Sequence, residues 1–536
     1  MTPESVSHDD DSGIALGDLL SGYADAGAIP DVRVTGLQLD SRKVRAGDLF
    51  VALQGLHDHG LRHASQAISQ GCAAIAYEPG AEVLECSGLL ERVASVEIDG
   101  LAGKLGFFAD RFFGHPSRDL CVIGITGTNG KTSCSHFLAE ALSEHASSAV
   151  VGTLGWGVPG QLQATTHTTP DAIEIHRLLA QLRSAGFSTV AMEASSHGLA
   201  QGRLNGVHFR GALFTNFSRD HLDYHGTMES YLAAKLRLSN WPRLEFLVFN
   251  AQDTLLNEAV LQARRPDVKY IGFCPTGHHA MLGVPLLTFD TVRHDSAGVT
   301  FHVRYAEQSN RVRAPVYGDF NVENIAATLG VLLGLGYPFT EAVEALGRVT
   351  AVPGRMENVS IGERSAVIDF AHTPDALACV LSSLRHHCRG KLWLVFGCGG
   401  DRDRGKRAEM GGIARLLADV IVLTDDNPRT EDGDCIITDI LKGIAGKDVT
   451  LIRNRRDAIR HALESAALED LVLIAGKGHE NTQEIQGRKY PFNDREVVEE
   501  VLKEIRTRNA GEVVDAEFGV TGRASIVRNT FPVDPQ

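Results

Sequence analysis

CVIGITGTNGKTS, residues 121–133, is the stretch that decides the fold. Its first six residues form a short apolar run of the kind that makes a buried strand. A glycine-rich turn follows, and then the helical stretch CSHFLAEAL, 134–142. Strand, glycine-rich loop and helix, with Lys-Thr opening the helix, is the setting a phosphate loop requires. The loop residues are Gly127, Thr128, Asn129, Gly130, Lys131, Thr132 and Ser133. Glycines let backbone N–H groups converge on phosphate oxygens, and a helix N-terminus adds further donors. Lys131 is placed to reach the terminal phosphates of a nucleotide, and Thr132 to offer a hydroxyl to Mg²⁺. The spacing departs from the usual G-x4-GK[ST]: Ile125 stands where the first glycine would be, and Gly127 falls inside the loop. The other reading is a turn with no ligand, against which GKT in this setting argues.

Outward from this loop the chain alternates apolar strands and amphipathic helices. The runs STVAME (188–193), GALFTN (211–216) and FLVFN (246–250) read with 121–126 as a parallel sheet covered on both faces. With 536 residues, and roughly 100–200 per domain, about three domains are expected. The boundaries fall at 13–117, 118–351 and 352–508, with a tail at 509–536. The first block mixes short strands, DLFVAL (48–53) and AAIAYE (73–78), with helical patches. The third has strands AVIDF (366–370), LWLVFG (392–397), DVIVLT (419–424) and LVLIAG (471–476). Each ends in a polar or glycine-rich loop: AHTPD, CGGDRDRG, DDNPR and KGHE. Ligands bind beyond the carboxyl ends of strands in open α/β sheets, so four such loops in one block point to a site there.

A net charge of −15 argues against general nucleic-acid binding. Phosphate-binding cations must therefore be clustered locally. The nine cysteines show no CxxC pairing, and several, such as Cys121 and Cys379, sit in apolar runs. That pattern suits buried, reduced thiols in the cytoplasm. The acidic N-terminus is unlike a signal peptide, no apolar run approaches about 20 residues, and no membrane insertion is expected. The first dozen residues and the stretch after about Arg508 read as mobile tails.

Two further places carry chemistry. Glu193 ends a strand downstream of the loop, where a carboxylate completes the Mg²⁺ shell begun by Thr132. TNFSRDHLDYHG (215–226) packs Asn216, Asp220, His221, Asp223 and His225 just after another strand. A capped helix start would account for any one of them, but not for the whole cluster. Lys235 lies on a helical, largely apolar segment where a lysine is ordinarily solvated.

GTNGKT, MEASSHGL (192–199), NxxxDHLDYHG, GDFNVEN (318–324) and PGRME (353–357) together resemble the Mur ligases of peptidoglycan synthesis, from LDSR (39–42) to KGHE (477–480). The resemblance implies a UDP-binding N-terminal domain, a central ATPase-like parallel sheet with a phosphate loop, and a C-terminal Rossmann-like domain. It implies that ATP phosphorylates the D-glutamyl γ-carboxylate of a UDP-N-acetylmuramoyl dipeptide, and that an amine then displaces phosphate. By motif, Leu39, Ser41, Leu56, His57 and Asp58 would meet the uridine end. His167, Thr168, Thr169, Ser195, Gln201 and Arg203 would meet the muramoyl dipeptide and diphosphate, with His167 standing where the family often has asparagine. Glu193 and His221 would bind Mg²⁺, and Asn321, Arg355 and Asp369 would meet the adenine, the terminal phosphate and the ribose. Lys235 aligns with a lysine carried in the family as N6-carboxylysine, whose carboxylate helps position a second Mg²⁺.

The DDNPR loop bears on the incoming amino acid. In the family, DNPR marks ligases that add meso-diaminopimelate, which differs from lysine by one distal carboxylate. Arg429 and Arg402 suit that carboxylate, because a guanidinium bonds both oxygens. Asp426 or Glu480 would accept from an ammonium group, with Asn427, Pro428 and Gly476 beside them. A proline turn with a surface ion pair is the alternative. Two other functions stay open from the residues alone. One is a related ligase with another acceptor, lysine or a folate. The other is a phosphate-loop switch that binds nucleotide without forming amides, which would leave the arginine-rich loops without a ligand.

Overall fold

The chain divides into two units, Met1–Val352 and Pro353–Gln536. The computed structural model describes residues 13–517 except 26, 28, 56, 57, 166, 279–282 and 296, and leaves the side chains of 223 and 509–517 undescribed. Leu56 and His57 therefore lie outside the described residues, as do the expected tails at 1–12 and 518–536. The last helix, Asp494–Glu517, continues past Arg508, where the sequence reading starts the tail.

Besides a two-stranded antiparallel pair, Ile14–Ala15 with Arg33–Val34, the first unit holds two larger sheets of strands buried by their β-branched and aromatic side chains. A four-stranded parallel sheet comprises Gly36–Gln38 (β1), Asp48–Ala52 (β2), Ala74–Tyr77 (β3) and Ala94–Glu97 (β4), in that order. The larger sheet has eleven strands. They are Cys121–Thr126 (β5), Ser148–Gly152 (β6), Gly155–Val158 (β7), Gln161–Gln163 (β8), Thr189–Glu193 (β9), Phe209–Phe214 (β10), Phe246–Asn250 (β11), Lys269–Pro275 (β12), Leu286–Asp295 (β13), Gly298–Tyr305 (β14) and Gln308–Ala314 (β15). Their order is β8-β7-β6-β9-β5-β10-β11-β12-β13-β14-β15. The pairs from β6 across to β13 are parallel, and each edge carries an antiparallel hairpin.

Successive strand residues point to opposite faces. Along β5, Ile123 and Ile125 join the core under the helices Lys131–Leu142 and Asp319–Gly334. Val122 joins the opposite core, under Ala172–Ser184 and Thr254–Gln262. Both faces are thus covered, which is why the strands read as continuous apolar runs. Helix Ala172–Ser184 has two apolar faces. Ile175, Leu178, Leu179 and Leu182 pack on the large sheet, while Ala172, Ile173 and Ala180 pack with Leu101, Leu105, Phe108 and Ala109 of helix Leu101–Phe112. The two larger sheets pack together through this helix within the first unit, across the boundary expected at residue 117.

The second unit is a six-stranded sheet of Glu357–Ile361 (β16), Arg364–Asp369 (β17), Leu392–Phe396 (β18), Val420–Leu423 (β19), Thr450–Leu451 (β20) and Leu471–Ala475 (β21), ordered β16-β17-β21-β18-β19-β20. All pairs are parallel except β16–β17. The four polar loops read from the sequence follow β17, β18, β19 and β21. A hairpin, Thr482–Ile485 (β22) with Arg488–Pro491 (β23), continues from the last of them. All nine cysteines are free thiols, but Cys379 and Cys435 are exposed, which corrects the expectation that Cys379 is buried. Cys379 lies off the face of helix Pro374–Arg385 that buries Leu377, Val380, Leu381 and Leu384. No helix among the described residues is long and apolar enough to cross a membrane.

Candidate active site

The phosphate loop connects β5 to helix Lys131–Leu142. Gly127 and Gly130 have positive φ, +150° and +83°. A Cβ on Gly127 would lie 1.9 Å from Thr215 Oγ1, and one on Gly130 would lie 2.4 Å from Asn324 Oδ1. Only glycine fits either place, so the loop lies pressed against its neighbours and stays thin above. Asn216 braces it, accepting from Asn129 N through its side chain (2.8 Å) and from Thr128 N through its carbonyl (3.0 Å). Thr128 Oγ1 accepts from Ser218 N at 3.0 Å and lies 3.2 Å from the Tyr231 hydroxyl. Thr132 and Ser133 are buried at the start of the helix. Asn321 donates to Tyr317 O at 2.8 Å and accepts from Asn324 Nδ2 at 3.0 Å, so the residue expected at the adenine is linked to the wall of the loop.

Two lysines meet on one carbonyl. Lys131 Nζ donates to Gly127 O and to Thr128 O, both at 2.9 Å. Lys235 Nζ donates to the same Gly127 O at 2.7 Å and lies 4.5 Å from the Tyr231 ring centroid. Lys235 is only 1% exposed, not solvated as its helical setting alone suggests. Burial, with the charge of Lys131 next, pushes its ammonium well below the ordinary lysine range, and Asp220 opposes this only partly.

Glu193 ends β9, in register with Ile125 of the neighbouring β5, which puts a carboxylate beside the loop. It is 1% exposed. Its Oε1 accepts from Thr153 N at 2.9 Å and its Oε2 from Thr153 Oγ1 at 3.0 Å. Thr168 Oγ1 is 3.0 Å from Thr153 Oγ1, and Thr169 Oγ1 donates to Glu193 O at 2.9 Å. Ser195 N donates to Thr169 Oγ1, Arg203 donates to Thr169 O at 2.8 Å and to Gln201 Oε1 at 2.8 Å. The fold thus gathers Thr168, Thr169, Ser195, Gln201 and Arg203 around Glu193, while His167 at the loop surface is exposed. Thr153 joins them without a motif to mark it, while Asn324, the last residue of GDFNVEN, stands against the phosphate loop at Gly130. His221 adopts a left-handed backbone (φ 52°) and stacks edge-on against His197 at 4.9 Å, with Asp220 Oδ2 3.3 Å from its Nε2. In the small sheet, Ser41 is buried and donates to Gln66 Oε1 at 2.8 Å, Leu39 packs against the core, and Asp58 pairs with Arg62 at 2.9 Å.

The second unit builds a different surface. Asp369 is buried, its two oxygens accepting from Ala371 N (2.7 Å) and Met356 N (2.8 Å), and burial raises its pKa against the pull of Arg355. Arg355 stacks 4.8 Å from the Phe370 ring. Arg429 donates to Gly400 O at 2.6 Å, and its Nε is 3.7 Å from Glu484 Oε2. A Cβ on Gly399 would come within 2.9 Å of that guanidinium, so the glycines after β18 make room for it. Arg402 donates to its neighbour Asp401 O at 3.3 Å and is exposed. Lys477, fully buried, holds Glu480 Oε2 at 2.7 Å, Asn427 Oδ1 at 3.1 Å and Thr482 O at 2.7 Å. Burial works against the charge on Glu480, but Lys477 and Asn427 outweigh it and hold the carboxyl below its usual range. Asp426 lies under Gly476, where burial raises its pKa. Pro428 is buried beside them, and Glu431 clamps Arg407 (2.9 Å) and Asp401 N (2.6 Å), tying the GDRDRG and DDNPR loops together.

Residues 33–100 match the Mur ligase family catalytic domain, 125–332 the Mur ligase middle domain, and 354–478 the Mur ligase glutamate ligase domain. UDP-N-acetylmuramoyl-L-alanyl-D-glutamate–2,6-diaminopimelate ligase of Pseudomonas aeruginosa is 46% identical over 476 residues, 88% of this chain and 96% of the relative. The protein of that name from Xanthomonas campestris pv. campestris is 43% identical over 493 residues, 91% of this chain and 97% of the relative. A solved structure of a ligase with the same name superposes with a TM-score of 0.68 at 36% identity, covering 92% of this chain and 99% of that one.

Proposed function

This chain belongs to the Mur ligase family of ATP-dependent ligases, and from that premise we propose that it adds meso-2,6-diaminopimelate to UDP-N-acetylmuramoyl-L-alanyl-D-glutamate in cytoplasmic peptidoglycan synthesis. The observation that carries the chemistry is the register of β9 on β5, which sets buried Glu193 beside the glycine-rich loop that bears Lys131 and Thr132, residues suited to phosphate and Mg²⁺. A carboxylate and an amine do not condense readily in water. ATP supplies the missing leaving group by phosphorylating the glutamyl γ-carboxylate. The diaminopimelate amine then forms the C–N bond as the C–O bond to phosphate breaks, and the amine loses a proton.

The residues present suit Mg²⁺. Thr132 and Glu193 offer hard oxygens, each Glu193 oxygen accepts one protein hydrogen bond and keeps a lone pair, and His221 adds a nitrogen. When bound there, Mg²⁺ neutralises charge between the nucleotide and the approaching carboxylate. Lys131 and the loop N–H groups hold the phosphates, while Asn321, Arg355 and Asp369 take the adenine, terminal phosphate and ribose. Leu39, Ser41 and Asp58 take the uridine end, and Thr168, Thr169, Ser195, Gln201 and Arg203 the dipeptide and diphosphate. The environment of Lys235 favours its neutral amine, the form that adds carbon dioxide. The resulting N6-carboxylysine exchanges a cation for a carboxylate beside the loop. In the second unit, Arg429 and Arg402 receive the distal carboxylate of diaminopimelate, and Glu480, Asp426, Asn427 and Gly476 its polar head. Lysine would leave Arg429 without that partner, a defect worth about 10⁴–10⁵ in discrimination when the site is dry.

The test is phosphate release from ATP with the UDP-muramoyl dipeptide and, in turn, diaminopimelate, lysine and ornithine. Turnover with diaminopimelate alone is expected. Turnover with lysine instead, or only with a folate acceptor, overturns the assignment.

A further inference from the structure

Glu193 owes its position to a residue that no motif marks. Thr153 is the first residue after β6, and it meets the Glu193 carboxylate twice, through its backbone N–H at 2.9 Å and its hydroxyl at 3.0 Å. The same hydroxyl is 3.0 Å from that of Thr168. Thr153 Oγ1 stands as donor toward both Glu193 Oε2 and Thr168 Oγ1, so its single proton is shared between them. The next residue, Thr169, donates to the Glu193 carbonyl at 2.9 Å and caps Ser195 N at 3.0 Å. Two adjacent threonines therefore grip Glu193 at both its ends, one directly and one through Thr153. The approach is close: a Cβ on Gly152 would stand 2.1 Å from Glu193 Oε1, so β6 comes near enough for Thr153 only because Gly152 precedes it.

We propose that Thr153 is a positioning residue that orients the Glu193 carboxylate for the divalent cation and links it, through Thr168, to the segment that binds the UDP-muramoyl dipeptide. The inference rests on the reading of Glu193 as a metal ligand and of Thr168 as a substrate contact. Outer hydrogen-bond partners of metal ligands set ligand orientation, and losing one typically costs 10–100-fold in metal affinity or activity. Two bonds from one residue, one to each carboxylate oxygen, restrict the orientation of Glu193 and leave each oxygen a lone pair for another partner. Without the hydroxyl, only the N–H bond remains, and the carboxylate swings about it.

Thr153→Val keeps the β-branched shape and the backbone N–H and removes the hydroxyl; Thr153→Ser keeps the hydroxyl. Binding of Mn²⁺ to the enzyme with ADP is read by loss of the free-ion electron paramagnetic resonance signal, alongside kcat, KM for the dipeptide and the Mg²⁺ half-saturation. The expected result for Thr153→Val is a 10–100-fold weaker Mn²⁺ half-saturation, mirrored in the Mg²⁺ dependence of kcat, with Thr153→Ser restoring both to within about threefold. Thr168→Val, one step up the chain, is expected to weaken Mn²⁺ binding less, and the double variant to be non-additive with Thr153→Val. Unchanged Mn²⁺ and Mg²⁺ half-saturation in Thr153→Val overturns the proposal, as does a loss of activity that Thr153→Ser fails to restore. Should Thr153→Val not fold, Thr168→Val and Thr153→Ser decide the matter by the same readouts. A wild-type enzyme whose turnover ignores divalent cations would instead sink the underlying reading of Glu193.

Discussion

The phosphate loop and the DDNPR loop both rest cations on backbone carbonyls, yet they treat those cations in opposite ways. At Gly127 O the partners are lysines, and one of them, Lys235, is so desolvated that its charge is disfavoured. At Gly400 O the partner is Arg429, partly exposed, a planar guanidinium with several fixed donors. Lysine suits a place where protonation or covalent modification must change, because burial lowers its pKa. Arginine serves where a fixed, planar donor must read a carboxylate. On the proposed function the first region serves the chemistry and the second the recognition, and each is built in a separate unit.

The sharpest break in this comparison comes from Lys131→Ala. Ligation is expected to slow by roughly 10³-fold with every acceptor, measured as phosphate release, because a charge stabiliser of the transferring phosphoryl group is gone. Arg429→Ala is expected to act selectively, lowering kcat/KM for diaminopimelate by about 10²-fold while the nucleotide affinity from calorimetry stays put. Equal losses for ATP and diaminopimelate would erase the division of labour. The smallest effect concerns acid stability of the recognition unit. Burial, then the charge of Arg355, hold His479 at about 4 against an ordinary 6.5. The unfolded chain takes up this proton near pH 6.5 and the folded chain only near 4. The contribution is therefore whole above about 6.5, falls as pH drops through that window, and levels off below 4. By pH 5 the loss is about 2 kcal/mol. Unfolding free energies from urea titrations at pH 7 and pH 5 should differ by about that much less in His479→Asn than in the parent protein.

The phosphate loop was fully legible because its chemistry is local: a strand, two glycines and a lysine within a dozen residues. The strands that precede the polar loops were legible for the same reason, since burial on both faces makes each one an unbroken apolar run. The antiparallel hairpins at the sheet edges, β7–β8 and β14–β15, escaped notice because half-exposed strands without a motif carry only a weak alternation. Thr153 escaped for a deeper reason. Its partners are 15 and 40 residues away, and a threonine after a strand has no signature until strand order brings β6 beside β9. The burial of Lys235 was equally invisible, since only the packing of Tyr231 and the loop around it removes the solvent its helix would otherwise give it. Cys379 shows the converse error: an apolar neighbourhood in sequence says little about which side of a helix a residue takes.

Helix Ala172–Ser184, with one flank on the large sheet and the other on Leu101–Phe112, has a bearing on how such chains diversify. The first sheet cannot be traded as a cassette cut at residue 117, because the graft would leave Ala172, Ile173 and Ala180 facing water or a mismatched surface. Any lineage that refashions its first sheet must rewrite that flank in step, so the two modules are bound to a common history.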